Sequence, residues 1–355
     1  MPPAVGYTRR DFFYRHARGA PASGLRRVTR LAEHVPDMLR YRAAASAADV
    51  VHFQWLSVPR LDARLLPRRR PLVITAHDIL PREGGAGLRA AQAALLRHFD
   101  AVIAHSATGR DRLINEAGLS PDRVHTIPHG AFSHLAALPL SPLPIELEND
   151  PAKPVVLSFG LIRPYKGLDV LLQAMARAPL HVTLTVAGEF WGTAEAQTRA
   201  RIGRLGLHSR VTLRPGYVPA DQIPGLFAGT DALVLPYRTA TSSQNAWLAF
   251  EYGVPVVATR AGTLADAVRD GVDGVVCEPG DEDDLLRALL RISAPGEAAR
   301  LRAAVQAADP GDYWDAYLEA LLSFAEQPGR EPGLAASPLT HGPARRAQPR
   351  GPRPG

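Results

Sequence analysis

The sequence predicts an α/β protein built from two doubly wound parallel-sheet domains. Two observations lead there. Short apolar runs of four to seven residues alternate with helical patterns, the signature of parallel strands joined by crossover helices. The alternation then stops at a proline- and acid-rich stretch, "LPLSPLPIELENDPAKP" (138–154), and starts again after it. With 355 residues, 46% hydrophobic and 21% charged, the chain is long enough to bury two separate cores.

In the first half the strands are "DVVHFQW" (49–55), "PLVITA" (71–76), "AVIAH" (101–105) and "VHTIP" (124–128), with helical stretches such as "GLRAAQAALLRHF" between them. The segment before Asp49 reads as a loop and a helix, "GLRRVTRLAEHVPDMLRYRAAAS", with no opening strand and no tight glycine turn. This domain is expected to lack its initial strands, either because the start is placed too far downstream or because the chain is truncated. After the linker come "PVVLSFG" (154–160), "HVTLTVAG" (181–188), "RVTLRPG" (210–216), "DALVLPY" (231–237), "PVVAT" (255–259) and "GVVCE" (274–278). Six strands suffice for a complete doubly wound domain. An amphipathic helix, "GDYWDAYLEALLSFAEQ" (311–327), follows, with Trp314, Tyr317, Leu318 and Leu321 expected on one side. The expected division is 1–140, 154–295 and a helical segment 296–327, with residues 328–355 a proline-, glycine- and arginine-rich disordered tail.

Composition excludes several classes. No apolar run approaches the ~20 residues that span a bilayer, and "MPPAVGYTRRDFFYRHA" lacks the apolar centre of a signal peptide. A lone cysteine, Cys277, leaves no intramolecular disulfide or cysteine-based zinc site and suits a reducing cytoplasm. The net charge of +6 reads mainly as arginine-rich composition, as in "RALLRISAPGEAARLRAAV", with attraction to anionic lipid or substrate as the minor reading. No basic–aromatic pattern points to nucleic acid.

Ligands of open parallel sheets sit beyond the carboxyl ends of the strands. Arg163 and Lys166 follow the first strand of the second domain where a helix begins near Gly167, an arrangement suited to an anion. Tyr165 and Gly167 favour that reading over solvated loop cations. His77 and Asp78, His105 and Ser106, and His129 and Gly130 each follow a first-domain strand. Each histidine alone could cap the next segment, and no carboxylate or cysteine partners at ligand spacing favour a metal. Ser242 or Ser243 opens the helix after "PYRTATSSQ", as an ordinary cap, a ligand contact or both. "GDEDDL" (280–285) reads as acids stabilising a helix N-terminus.

These residues lie in "VITAHD", "VIAHS", "IPHGAF", "FGLIRPYKGLDVLLQAMA", "VAGEFWG" and "TDALVLPYRTATSSQNAWLAFEYGVPVVATRAGTLADAVRDGVDGVVCEPGD". In order and spacing they resemble the retaining glycosyltransferases of GT-B fold, glycosyltransferase family 4, over roughly residues 49–327. The resemblance implies two facing Rossmann-like domains, a nucleotide-sugar donor mainly on the second, and a last helix returning to the first. It implies that Arg163 and Lys166 neutralise the donor diphosphate and that His77 is the catalytic histidine near the reacting sugar. The two glutamates often found eight positions apart in the family are replaced by Ala240 and Leu248, so Ser243 and Gln244 are expected to take part of the donor contact. The expected activity is sugar transfer with retention to a carbohydrate, lipid-linked or small-molecule acceptor, in polysaccharide or glycolipid synthesis. No cofactor or metal is expected. The setting is cytoplasmic, with peripheral contact at the inner membrane face left open. A catalytically inactive binding protein of the same fold is the alternative.

Overall fold

The computed structural model describes residues 8, 10–16, 24–67, 71–80, 85–127, 135, 138, 154–240, 243–306 and 310–326. The expected tail (328–355), most of the linker and His129 lie outside the described residues.

Helix α1 (Gly24–Ala45) precedes a four-stranded parallel sheet of β1 (Val51–Phe53), β2 (Leu72–Thr75), β3 (Ala101–Ala104) and β4 (Val124–Thr126). Its strand order is consecutive, so β1 is an edge among the described residues. Between the strands run α2 (Pro59–Leu65), α3 (Gly85–Leu96) and α4 (Ala107–Asn115). The inner strands β2 and β3 are buried throughout because both faces of a parallel sheet are covered, whereas β1 and β4 carry the half-buried His52 and His125. One face buries Ile74, Leu95, Leu96, Phe99 and Val102.

The second sheet contains β5 (Val155–Phe159), β6 (Thr183–Gly188), β7 (Val211–Pro215), β8 (Ala232–Leu235), β9 (Val256–Thr259) and β10 (Gly274–Cys277). Its helices are α5 (Leu168–Arg177), α6 (Ala194–Arg204), α7 (Ile223–Ala228), α8 (Gln244–Glu251), α9 (Glu282–Ile292) and α10 (Glu297–Ala304). All pairings are parallel, in the order β10-β9-β8-β5-β6-β7. Chain progression therefore reverses between the adjacent strands β5 and β8. At that switch the loops leaving the two strands diverge to opposite faces and open a crevice.

The last helix, α11 (Pro310–Glu326), follows the second sheet in sequence but packs on the first. Phe324, Tyr317, Ala320 and Leu321 lie against Val73, Ala101, Ile103 and Ile127, and the Phe324 ring meets His125 edge-on at 4.7 Å. The contact stripe differs from the expected one. Tyr317 and Leu321 belong to it, whereas Trp314 and Leu318 remain 47% and 53% exposed. The sheet meets a stripe running through 317, 320, 321 and 324, one helical turn further along than helical periodicity alone indicates.

Candidate active site

The β5 loop is built by a backbone that few residues could follow. After a short 3-10 turn, Pro164–Lys166, the chain passes through Gly167 at φ 67° into α5. A Cβ at Gly167 would lie 1.9 Å from the carbonyl oxygen of Pro236, in the loop after β8. Glycine here lets the two loops at the switch point touch. Arg238 clamps them from outside. Its guanidinium bonds both carboxylate oxygens of Asp169, at 2.7 and 2.8 Å, and the Pro164 carbonyl at 3.2 Å. Burial pushes the Asp169 carboxyl up, but the bonded Arg238 and nearby Arg201 outweigh it and hold the group below its ordinary range.

Inside this frame the candidate side chains converge. The space above Gly160 is occupied by Asn245 and Lys166, whose Nδ2 and Nζ would lie 3.2 and 3.4 Å from a Cβ placed there. Asn245 donates to the Phe159 carbonyl at 2.8 Å, which ties α8 to the end of β5. Lys166 Nζ stands 5.1 Å from the centre of the Tyr237 ring. The Arg163 guanidinium lies over Trp191 at 4.7 Å, while its buried Nε has no hydrogen-bond partner among the described residues. A buried donor left unmade is costly unless a ligand completes it.

Ser243 caps α8, its hydroxyl accepting from Asn245 N at 3.3 Å, and Gln244 is the helix's first residue. Asp281 likewise caps α9, accepting from the amides of Asp283 and Asp284. Burial first, then neighbouring acids, pushes the Cys277 thiol up to about 12, so it is no nucleophile at neutral pH.

Across from Arg163 stands the histidine edge of the first sheet. A cavity of about 320 Å³ is lined by Gln54, Thr75, His77 and Asp78 on one side and by Arg163 and Tyr165 on the other. His77 Nε2 donates to the Gln54 side-chain oxygen at 2.8 Å, and its ring lies 5.1 Å from that of His105. His105 in turn directs Nδ1 to the Ile127 carbonyl at 2.9 Å. Burial lowers the His77 pKa, with Asp78 opposing. His52 lies one pairing step away, 2.9 Å from the Thr75 hydroxyl, and burial together with His77 lowers it to about 4. Both imidazoles are therefore neutral at pH 7, able to donate or accept a hydrogen bond without carrying charge.

Gln54, Asn245 and Tyr317 complete this arrangement and carry no local sequence signal. Their contacts span up to 265 residues of chain.

The comparisons agree over both halves. A sequence model described as Glycosyltransferase Family 4 matches residues 5–131, and one described as Glycosyl transferases group 1 matches residues 153–294. A D-inositol 3-phosphate glycosyltransferase of Catenulispora acidiphila is 31% identical over 324 residues, 82% of this chain and 75% of that protein.

This chain belongs to glycosyltransferase family 4.

The corresponding enzyme of Nocardia farcinica is 29% identical over 350 residues, 89% of this chain and 76% of its own. Among solved structures, Anabaena Alr3699/HepE in complex with UDP and glucose superposes with a TM-score of 0.69 at 25% identity, covering 82% of this chain and 83% of its own. Sucrose-phosphate synthase of Thermosynechococcus elongatus shares the fold at TM-score 0.66 and 20% identity. The family 4 glycosyltransferase thus has the GT-B architecture, with its crevice between two Rossmann-like sheets.

Proposed function

We propose that this glycosyltransferase moves a sugar from a nucleotide-diphosphate donor to an acceptor with retention of configuration and without a divalent metal. The observation that carries the reading is Arg163. Its buried Nε has no hydrogen-bond partner among the described residues, Arg163 lines the cavity that holds His77, and the Lys166 ammonium stands at the switch point of the second sheet beside Gly160. As the sugar–oxygen bond breaks, negative charge develops on the departing diphosphate. Two cations already in place stabilise that charge without reorganisation. Neutral His77 is suited to hydrogen-bond the sugar or the incoming hydroxyl from the other wall.

The Anabaena structure holds UDP and glucose, which supports a uridine nucleotide as the first donor to test. Two of the relatives are named for D-inositol 3-phosphate, which makes that compound the first acceptor to test. Retention, and a role in polysaccharide or glycolipid synthesis, rest on the family resemblance, and the single reduced cysteine supports a cytoplasmic setting. The test is incubation with UDP-glucose and D-inositol 3-phosphate, with NMR of the product's anomeric centre. An α-linked product from the α-linked donor supports the reading, and a β-linked product refutes retention.

The second reading is donor binding without turnover. Leu248, buried at 6%, stands where the family often has a glutamate, so no carboxylate enters the site from there. Tight UDP binding with no transfer to any acceptor and no donor hydrolysis would favour it.

A further inference from the structure

The cavity beside His77 has two walls of different chemistry. Its second-domain side holds Arg163 and Tyr165. Thirteen first-domain residues form the rest of the lining, and seven are apolar, among them Trp55, Leu56, Pro59 and Leu88. Gln54, Ser57, Thr75, Gln92 and the neutral His77 add hydrogen-bonding groups without charge, and Asp78 is the one carboxylate. In a chain where 41 of 355 residues are lysine or arginine, none stands among these thirteen.

Two of the apolar side chains reach solvent. Trp55, in the loop after β1, is 60% exposed, and Leu88, in the first turn of α3, is 37% exposed. Leu56 packs against the first-domain core, and Pro59 opens α2 and is buried. The apolar part of this wall is therefore anchored in the core at one end and open to a ligand at the other.

The lining discriminates between acceptor chemistries. A phosphorylated acceptor would bring a dianion against a wall with no first-domain cation to neutralise it, and the Asp78 carboxylate would oppose it. The reading above gives Arg163 to the donor diphosphate, and this inference rests on that reading. With the diphosphate on the second domain, the first-domain wall is the face left for the acceptor. A saccharide without charge matches it. Its hydroxyls meet Gln54, Ser57, Gln92 and His77, and the C–H face of its ring meets the electron-rich face of Trp55. Leu56, Pro59 and Leu88 continue the apolar side and suit a non-polar group attached to the sugar.

We propose that the acceptor is an uncharged glycoside whose ring stacks on Trp55 and whose apolar aglycone lies along Leu56, Pro59 and Leu88. The phosphorylated polyol in the relatives' names is thereby disfavoured as the acceptor of this chain.

The test is calorimetric titration of the full chain, with and without saturating UDP. The probes are hexyl β-D-glucoside, methyl β-D-glucoside, glucose 6-phosphate and D-inositol 3-phosphate. Hexyl glucoside should bind at least about tenfold more tightly than methyl glucoside, because several methylenes leave water. Both glucosides should bind more tightly than either phosphate ester. Trp55→Ala should weaken both glucosides about tenfold, and Leu88→Ser should weaken hexyl glucoside alone. Both side chains are exposed, so circular dichroism melts of the variants should match the wild type.

Tighter binding of either phosphate ester, equal binding of the two glucosides, or unchanged glucoside affinity in Trp55→Ala overturns the proposal. Absence of glucoside binding, with or without UDP, does the same. Glucosides bound in the expected order by a protein that does not bind UDP would support the glycoside site and overturn the donor reading instead.

Discussion

His77 and Gln54 are joined by a 2.8 Å hydrogen bond in which the imidazole Nε2 donates to the amide oxygen. The Gln54 amide nitrogen reaches the Tyr317 hydroxyl at 3.1 Å. The candidate catalytic imidazole is thereby linked through one side chain to α11, the helix that arrives from the second half of the sequence. Gln54 holds the proton on Nε2, and Nδ1 is left as the acceptor.

Replacing that amide by a carboxylate tests the link. In Gln54→Glu the new charge beside Nε2 favours imidazolium, so the His77 pKa should move from below its ordinary 6.5 to above it. NMR titration of the His77 ring reads this directly. Gln54→Ala should show no such rise, and an unmoved His77 in Gln54→Glu refutes the contact.

Arg163→Ala and Lys166→Ala should each weaken nucleotide-diphosphate binding roughly tenfold or more, the equivalent of a charge-assisted contact of about 1.5–3 kcal/mol. Calorimetric titration with UDP and GDP measures it. Unchanged affinity in both folded variants removes the diphosphate assignment.

Gly167→Ala should destabilise the second domain by at least about 2 kcal/mol. The substitution meets both an unfavourable left-handed backbone and a carbonyl 1.9 Å from the new carbon. Urea unfolding should show a lower midpoint. An alanine variant of wild-type stability would mean that the two loops separate without cost.

Stability should fall as the solution is acidified from pH 6.5 toward 4. His52 has a folded pKa of about 4 against an ordinary 6.5, so in that window the unfolded chain binds the extra proton and unfolding is favoured. The contribution is complete above pH 6.5 and is lost as the pH falls through the folded value. Melting temperatures of the wild type and His52→Gln across this range should converge at the acid end. Parallel curves would assign the acid sensitivity to other groups.

Transfer activity should survive EDTA. The donor loop offers cations, and the one dense acid run is engaged at the start of α9, where Asp281 accepts from two backbone amides. Activity abolished by chelation and restored by magnesium or manganese contradicts the metal-free reading.

Much of this was legible in the sequence. The ten strands of the described residues coincide with its apolar runs, most plainly for β2, β3, β8 and β9, which are covered on both faces and buried throughout. The loop at Arg163–Gly167 was legible because a tight turn needs glycine and two cations beside it mark a candidate anion site. Both requirements are local and leave a mark within a few residues. Strand order, and with it the switch point that brings the Gly160 and Ser243 loops together, depends on which strands pair across 76 residues, as Val155 and Asp231 do. Local pattern does not encode that pairing. The same limit explains Gln54, Asn245 and Tyr317, ordinary polar side chains whose role comes from what stands opposite them. It also explains why α11 meets the first sheet through Tyr317 and Phe324 rather than Trp314 and Leu318. Helical periodicity shows that a face is apolar, but the contour of the packed sheet decides which turn of it is buried.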